Sequence, residues 1–128
     1  MSDHNVSLST IRQIHINVKD LARATAFYRD TLGIRLLFEF PGMAFFDAGG
    51  VRLYLGVADN PEIDHPASIL YYLVTDIVGT HESLVAKGVD VVAEPRFLAP
   101  MPDHDLWLAD YRDSEGNIFA LMSEVPRA

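Results

Sequence analysis

Three polar side chains at alternating positions, Gln13, His15 and Asn17, share one face of an extended run. A strand with only a structural duty would carry apolar residues there. An imidazole flanked by two amides can take a proton near neutral pH or orient a polar ligand, so His15 reads as a candidate general base with Gln13 and Asn17 as substrate-binding neighbours. The competing reading is a histidine hydrogen-bonded inside a sheet. Tyr54, on a face with Arg52 and Gly56, and Tyr71, on a face with Ile69 and Leu73, each offer a phenol that can donate to a developing oxyanion. Aromatic packing competes with that role, more strongly for Tyr71. Pro102-Asp103-His104-Asp105 sets an imidazole beside carboxylates, an acid–base pair or loose metal site if the segment closes over a ligand, and a solvated loop otherwise. Glu124 offers a further acid or ligand near the C-terminal end, where a glutamate is commonly just solvated. His4, His65 and His81 look incidental, being terminal, in a connection and on a helix. There is no Gly-rich phosphate loop or nucleophile elbow, and Ser68, Ser83 and Ser123 have no recognisable base partner.

The elements that must hold these groups follow from periodicity. Ile14 to Val18 alternates as a strand, Asp20 caps a helix over about Leu21 to Leu32, and Gly33 stops it. Leu21, Ala24, Tyr28 and Leu32 form its core-facing stripe. Strand-like runs follow at Ile34 to Phe40, Ala44 to Asp47 and Val51 to Val57, with turns at Pro41-Gly42 and Gly49-Gly50. After a polar connection from Asp59 to Pro66, the order recurs. Ile69 to Val74 is a strand, Asp76 caps a helix over Ile77 to Lys87, and Gly88 ends it. Strands near Asp90 to Ala93, Leu106 to Tyr111 and Asn117 to Met122 complete the set, with Phe97 to Asp105 as a loop.

Gly33 lies 13 positions after Asp20 and Gly88 lies 12 after Asp76, so the two helices match in length. A shift of 56 lays Asp20 on Asp76; a shift of 66 lays Asp47-Ala-Gly-Gly50 on Asp113-Ser-Glu-Gly116, Leu53 on Phe119 and Leu55 on Leu121. The expected organisation is a tail at 1–10 and a single domain over 11–128, built of halves 11–58 and 67–125 around a linker at 59–66. The fold class is α+β: two βαβββ repeats forming a cupped, mixed half-barrel sheet with helices on the outer face.

At 128 residues with 49% hydrophobic and 22% charged residues, the chain can bury a real core. No apolar run approaches the roughly 20 residues of a membrane span, and the first residues carry no signal-peptide pattern, so a cytoplasmic protein is expected. The absence of cysteine excludes disulfides, thiolate metal sites and a cysteine nucleophile. A net charge of −8 disfavours nucleic acid and suits a neutral or cationic small ligand.

The segment Val18-Lys-Asp-Leu-Ala-Arg-Ala-Thr-Ala-Phe-Tyr-Arg-Asp-Thr-Leu-Gly33 resembles the opening of the vicinal oxygen chelate (glyoxalase/bleomycin resistance/extradiol dioxygenase) superfamily. Asp113-Ser-Glu-Gly-Asn117 resembles that family's Asp-Pro-Asp-Gly-Asn turn, with Ser114 in the proline position, and the resemblance extends over about Ile11 to Glu124. It implies four inward-facing positions that hold a divalent metal in family members. Seven residues before each strand-ending Asp lie Gln13 and Ile69; seven after Asp113 lies Ala120, and the 66-residue shift returns Tyr54. An amide, a phenol and two hydrocarbons are poor ligands, so no metal of the usual kind is expected and no other cofactor is indicated. A divalent ion would need a shifted site drawn from His15, His104 and Glu124, the last on the Ala120 face.

The leading expectation is therefore a glyoxalase-like small-molecule enzyme of lyase, isomerase or dioxygenase type. His15 would be its catalytic residue, and Gln13, Asn17, Arg52, Tyr54, Tyr71, His104 and Glu124 its substrate-binding residues. The alternative is a protein of the bleomycin-resistance type that sequesters a small ligand, a cationic one among the options, without chemistry. In either case a homodimer is expected, with neither nucleic acid nor membrane as partner.

Overall fold

The structure, a computed structural model, describes residues 6–127, so His4 lies outside the described residues. Its elements are β1 (Gln13–Asn17), α1 (Leu21–Ala26, continuing as π-helical turns over Phe27–Thr31), β2 (Arg35–Phe40), β3 (Met43–Ala48), β4 (Val51–Gly56), β5 (Leu70–Leu73), α2 (Ile77–Ala86), β6 (Asp90–Pro100), β7 (His104–Arg112) and β8 (Ile118–Pro126). They form two four-stranded mixed sheets, in the orders β1-β4-β3-β2 and β5-β8-β7-β6, each a βαβββ unit. The first strand of each unit runs parallel to the last, and the remaining pairings are antiparallel. The two sheets do not close on one another. No helix among the described residues is long and apolar enough to cross a membrane.

Alternation sorts each sheet into a helix-covered face and a bare one. In the first unit Ile16, Val18, Ala44, Phe46, Leu53 and Leu55 pack under α1 with Ala24 and Tyr28. In the second, Ala109, Tyr111, Phe119 and Leu121 pack under α2 with Ile77 and Leu84. Phe27, Leu32 and Tyr72 touch both clusters, so the covered faces share one apolar seam. Both helices are capped as their sequences dictate: Asp20 accepts from Arg23 N, and Asp76 from Gly79 N. Gly33 and Gly88 take the positive φ (69° and 81°) that ends each helix.

Three expectations are corrected. The end of the first helix is π-helical rather than α-helical, with Leu32 N donating to Phe27 O at 3.0 Å. The wider turn lets two consecutive aromatics, Phe27 and Tyr28, both face inward. The expected loop from Phe97 to Asp105 is mostly strand: β6 runs on to Pro100 and β7 begins at His104. Pro95 and Pro100 are tolerated because β6 is an edge strand with three irregularities in its register. The 66-residue shift holds for β4 onto β8 but not for β3 onto β7. Asp47 pairs with Arg52, whereas Arg112 pairs with Ile118. The intervening turn is four residues in the first unit and five in the second, and strand register aligns Asp47 with Arg112 instead of Asp113.

The units are also joined by a buried polar network. The Tyr28 hydroxyl donates to Asp113 Oδ2 at 2.6 Å. Glu115 accepts from Lys19 N and Asp20 N at 2.8 Å each and from the Arg23 guanidinium at 2.8 and 3.0 Å. Burial alone would push the Glu115 carboxyl up, but these donors and the Ser114 hydroxyl hold it down to about 2. Burial and the neighbouring Asp113 charge push the Tyr28 phenol far above its ordinary range, so it stays a donor.

Candidate functional site

The bare face of the first sheet is a grid whose rows run across four strands. One row is Gln13, Arg52, Asp47 and Arg35; the next is His15, Tyr54, Phe45 and Phe38; the third is Asn17, Gly56, Met43 and Phe40. The middle row is continuously aromatic. His15 and Tyr54 have ring centroids 4.7 Å apart, Tyr54 and Phe45 stack at 5.0 Å with planes 14° apart, and Phe45 and Phe38 lie at 4.8 Å. Phe40 meets Phe38 edge-on at 5.5 Å. Tyr54 reaches this stacked pose by lying across Gly56, where an added Cβ would come within 2.9 Å of its ring. Phe38 and Phe40 are 41% and 54% exposed, so the aromatic surface is open to a ligand.

Of the residues singled out in the sequence, Gln13, His15, Arg52 and Tyr54 come together here. Arg52 Nε donates to Gln13 Oε1 at 2.8 Å, and the guanidinium carbon lies 5.7 Å from the Phe45 centroid. Asn17 is on the same face but is engaged elsewhere. Its amide donates to Asp64 Oδ1 and His65 O, and its oxygen accepts from Ala58 N, which ties down the connection between the units. Phe38, Phe40 and Phe45 escape the sequence reading. A bulge between Leu36 and Phe38 reverses the parity that would send Phe38 to the core with Leu36. The recurring aromatics on either side of Pro41-Gly42 are the signal that was present.

The second sheet brings together a different group. His104 Nδ1 lies 2.6 Å from Asp103 Oδ1, and its Nε2 is 3.7 Å from Glu124 Oε2. Hydrogen bonding from His104 lowers the Asp103 carboxyl below its usual range. His104 is on β7, held partly by Arg127, which donates to His104 O and Asp105 Oδ1. Tyr71 is 53% exposed on β5, in the row Tyr71, Ala120, Asp110, Ala93. Arg96 pairs with Asp110 at 3.1 Å. His81 is not incidental: its Nδ1 meets the buried Tyr111 hydroxyl at 2.7 Å, and burial pushes that phenol up to about 12.

The four positions that the family resemblance assigns to a metal do not fit one. The Gln13 oxygen already accepts from a guanidinium, which places a positive charge where an ion would bind. Tyr54 is stacked between rings, Ile69 is half exposed, and Ala120 is fully buried; the last two carry no donor. A shifted site from His15, His104 and Glu124 is not assembled either: His104 lies 3.7 Å from Glu124, but among the described residues His15 does not converge with them. Among the described residues no three His, Asp or Glu side chains converge in a metal-binding group.

Comparison with known proteins gives three kinds of match. The family model for the Glyoxalase/Bleomycin resistance protein/Dioxygenase superfamily matches residues 10–121. The chain is 37% identical over 70 residues to the metallothiol transferase FosB of Staphylococcus haemolyticus (strain JCSC1435), a stretch covering 55% of this chain and 48% of that protein. The match therefore spans about half the length of that relative. In fold, the chain is similar to a glyoxalase/bleomycin resistance protein/dioxygenase from Nocardioides, at TM-score 0.70 and 24% identity over 94% of this chain and 87% of that one. It is also similar to a lactoylglutathione lyase from Agrobacterium tumefaciens, at TM-score 0.71 and 21% identity over 91% and 95%.

Proposed function

The chain belongs to the Glyoxalase/Bleomycin resistance protein/Dioxygenase superfamily, and from that premise we propose that it binds a planar small molecule on the bare face of its first sheet without transforming it. The carrying observation is the unbroken row His15, Tyr54, Phe45, Phe38, with centroid spacings of 4.7, 5.0 and 4.8 Å. Such a wall presents a row of ring edges, which an aromatic ligand can meet edge to face, and few groups able to move protons. His15 supports this reading, since its ring packs on Tyr54 and among the described residues no carboxylate orients it as a base. The poor donors at Gln13, Tyr54, Ile69 and Ala120 argue in the same direction.

A second copy of the chain is part of the proposal. Both bare faces expose large apolar groups, among them Phe38 and Phe40 on one, Ile69, Tyr71 and Leu73 on the other. A homodimer would cover them and deepen the open face into a cup. The units 11–58 and 67–125 are taken as halves of one domain, and the protein as cytoplasmic.

One observation favours an enzyme instead. The 2.6 Å contact between Asp103 and His104 is the arrangement that polarises an imidazole for acid–base work. A panel of planar aromatic compounds, followed by NMR of backbone amides, separates the readings. Shifts at His15, Phe45 and Tyr54 with every compound recovered unchanged are expected. Turnover that disappears in His104→Ala would establish the second reading and end the first.

A further inference from the structure

The net charge of −8 suggests a cationic ligand, yet the bare face of the first sheet is charged the other way. Its polar row holds two arginines, Arg35 and Arg52, against the single carboxylate of Asp47. Neither arginine forms an ion pair with Asp47 among the described residues, and one Asp47 oxygen is turned back to Gly50 N at 3.0 Å. Arg52 is held in place, with its Nε on Gln13 and its guanidinium carbon 5.7 Å from the Phe45 centroid. Its two terminal nitrogens have no hydrogen-bond partner among the described residues. A guanidinium immobilised through Nε presents its Nη pair end-on, the fork geometry that grips a carboxylate.

Resting on the ligand-binding reading above, we infer that the occupant of this face is an aromatic carboxylate. The aromatic part would lie on the edges of the Tyr54–Phe45 stack, and the carboxylate would reach the Arg52 fork. Adjacent rows of the backbone grid are about 7 Å apart along each strand, but the Arg52 side chain leans over its neighbour, its guanidinium carbon lying 5.7 Å from the Phe45 centroid, so a ring bearing a carboxylate can meet both groups. Gln13 is then a positioning residue, acting through Arg52.

The test uses the full chain and three probes of one shape: 2-naphthoate, 2-naphthylmethanol and 2-naphthylmethylamine, titrated by backbone NMR and calorimetry. The expected order is naphthoate tightest, with shifts centred on His15, Phe45 and Tyr54. Arg52→Gln should weaken naphthoate at least about tenfold and leave naphthylmethanol within about twofold, with dispersed spectra proving that the variant is folded. Gln13→Leu should weaken naphthoate by less, and the alcohol hardly at all. Tighter binding of the amine, or an equal loss of acid and alcohol in Arg52→Gln, would overturn the carboxylate assignment while leaving an aromatic site. If none of the three probes shifts the first sheet, the ligand-binding reading fails along with it.

Discussion

The two units share a plan and differ where they face a ligand. Row for row, His15, Tyr54, Phe45 and Phe38 in the first correspond to Tyr71, Ala120, Asp110 and Ala93 in the second. Four rings become one ring, two methyls and a carboxylate engaged by Arg96. The polar row is inverted as well: Asp47 and Arg35 correspond to Arg112 and Asp90, which approach each other at 3.8 Å. Beneath these faces the cores remain alike, with Ala44 and Phe46 answering to Ala109 and Tyr111, all fully buried. Packing constrains the covered side in both units, so divergence has collected on the bare side, where a changed side chain costs little stability.

The polar links between units are just as one-sided, and substitutions can probe that. The largest effect is expected at Glu115, which caps the start of α1 from the other unit and whose shifted counterpart, Gly49, has no side chain. Its carboxyl is held at about 2 against an ordinary value of 4.5. A depressed folded-state value means stability that is present above about pH 5 and is lost as pH falls toward 2. Allowing for solvent screening at the half-exposed Arg23, on the order of 2 kcal/mol should disappear over that range. Urea denaturation at stepped pH should show this slope in the wild type and a flatter one in Glu115→Gln.

Next is Tyr28→Phe, expected to cost about 2 kcal/mol because Asp113 keeps only its local donors. The counterpart of Tyr28 on α2 is Leu84, which makes no such bond, so Leu84→Met should cost less than about 1.5 kcal/mol. Equal losses in the two would remove the asymmetry argued here. A smaller contrast lies one turn earlier in each helix. His81→Leu strands the Tyr111 hydroxyl and should cost about 1–2 kcal/mol. Its counterpart Thr25 carries a buried hydroxyl with no partner among the described residues, so Thr25→Val should be neutral or stabilising by up to about 1 kcal/mol. Chemical denaturation of both variants decides the point. The smallest change in stability is expected for Gly56→Ala, under about 1 kcal/mol, since the clash is with the mobile end of Tyr54. Near-UV circular dichroism should nonetheless change as that ring leaves its stack.

The sequence made the two-unit plan legible through short-range signals. The capping Asp20 and Asp76, the stops at Gly33 and Gly88, and the parity of β1 and β4 are all local chemistry. What escaped depends on distant partners or on irregularity. Phe97 to Asp105, with Pro100 in it, read as a loop because nothing local reveals that β6 is an edge. Phe38 and Phe40 reach the bare face only through the bulge in β2, which no local pattern announces. Asn17 looked free to bind, but its partners arrive from a connection more than forty residues away.

The π-helical turns at Phe27–Thr31 answer to the length of their segment. From cap to stop the first helix is one residue longer than the second, 13 against 12, and a surplus of one is what such turns absorb. Cutting a single codon there would let the segment wind regularly. Each side chain on one flank would then swing about 100° relative to the other, and either Tyr28 would lose Asp113 or Gly33 would lose its place at the helix stop. A surplus of one amino acid, accommodated without unwinding the helix, thus leaves the two repeats unable to exchange roles.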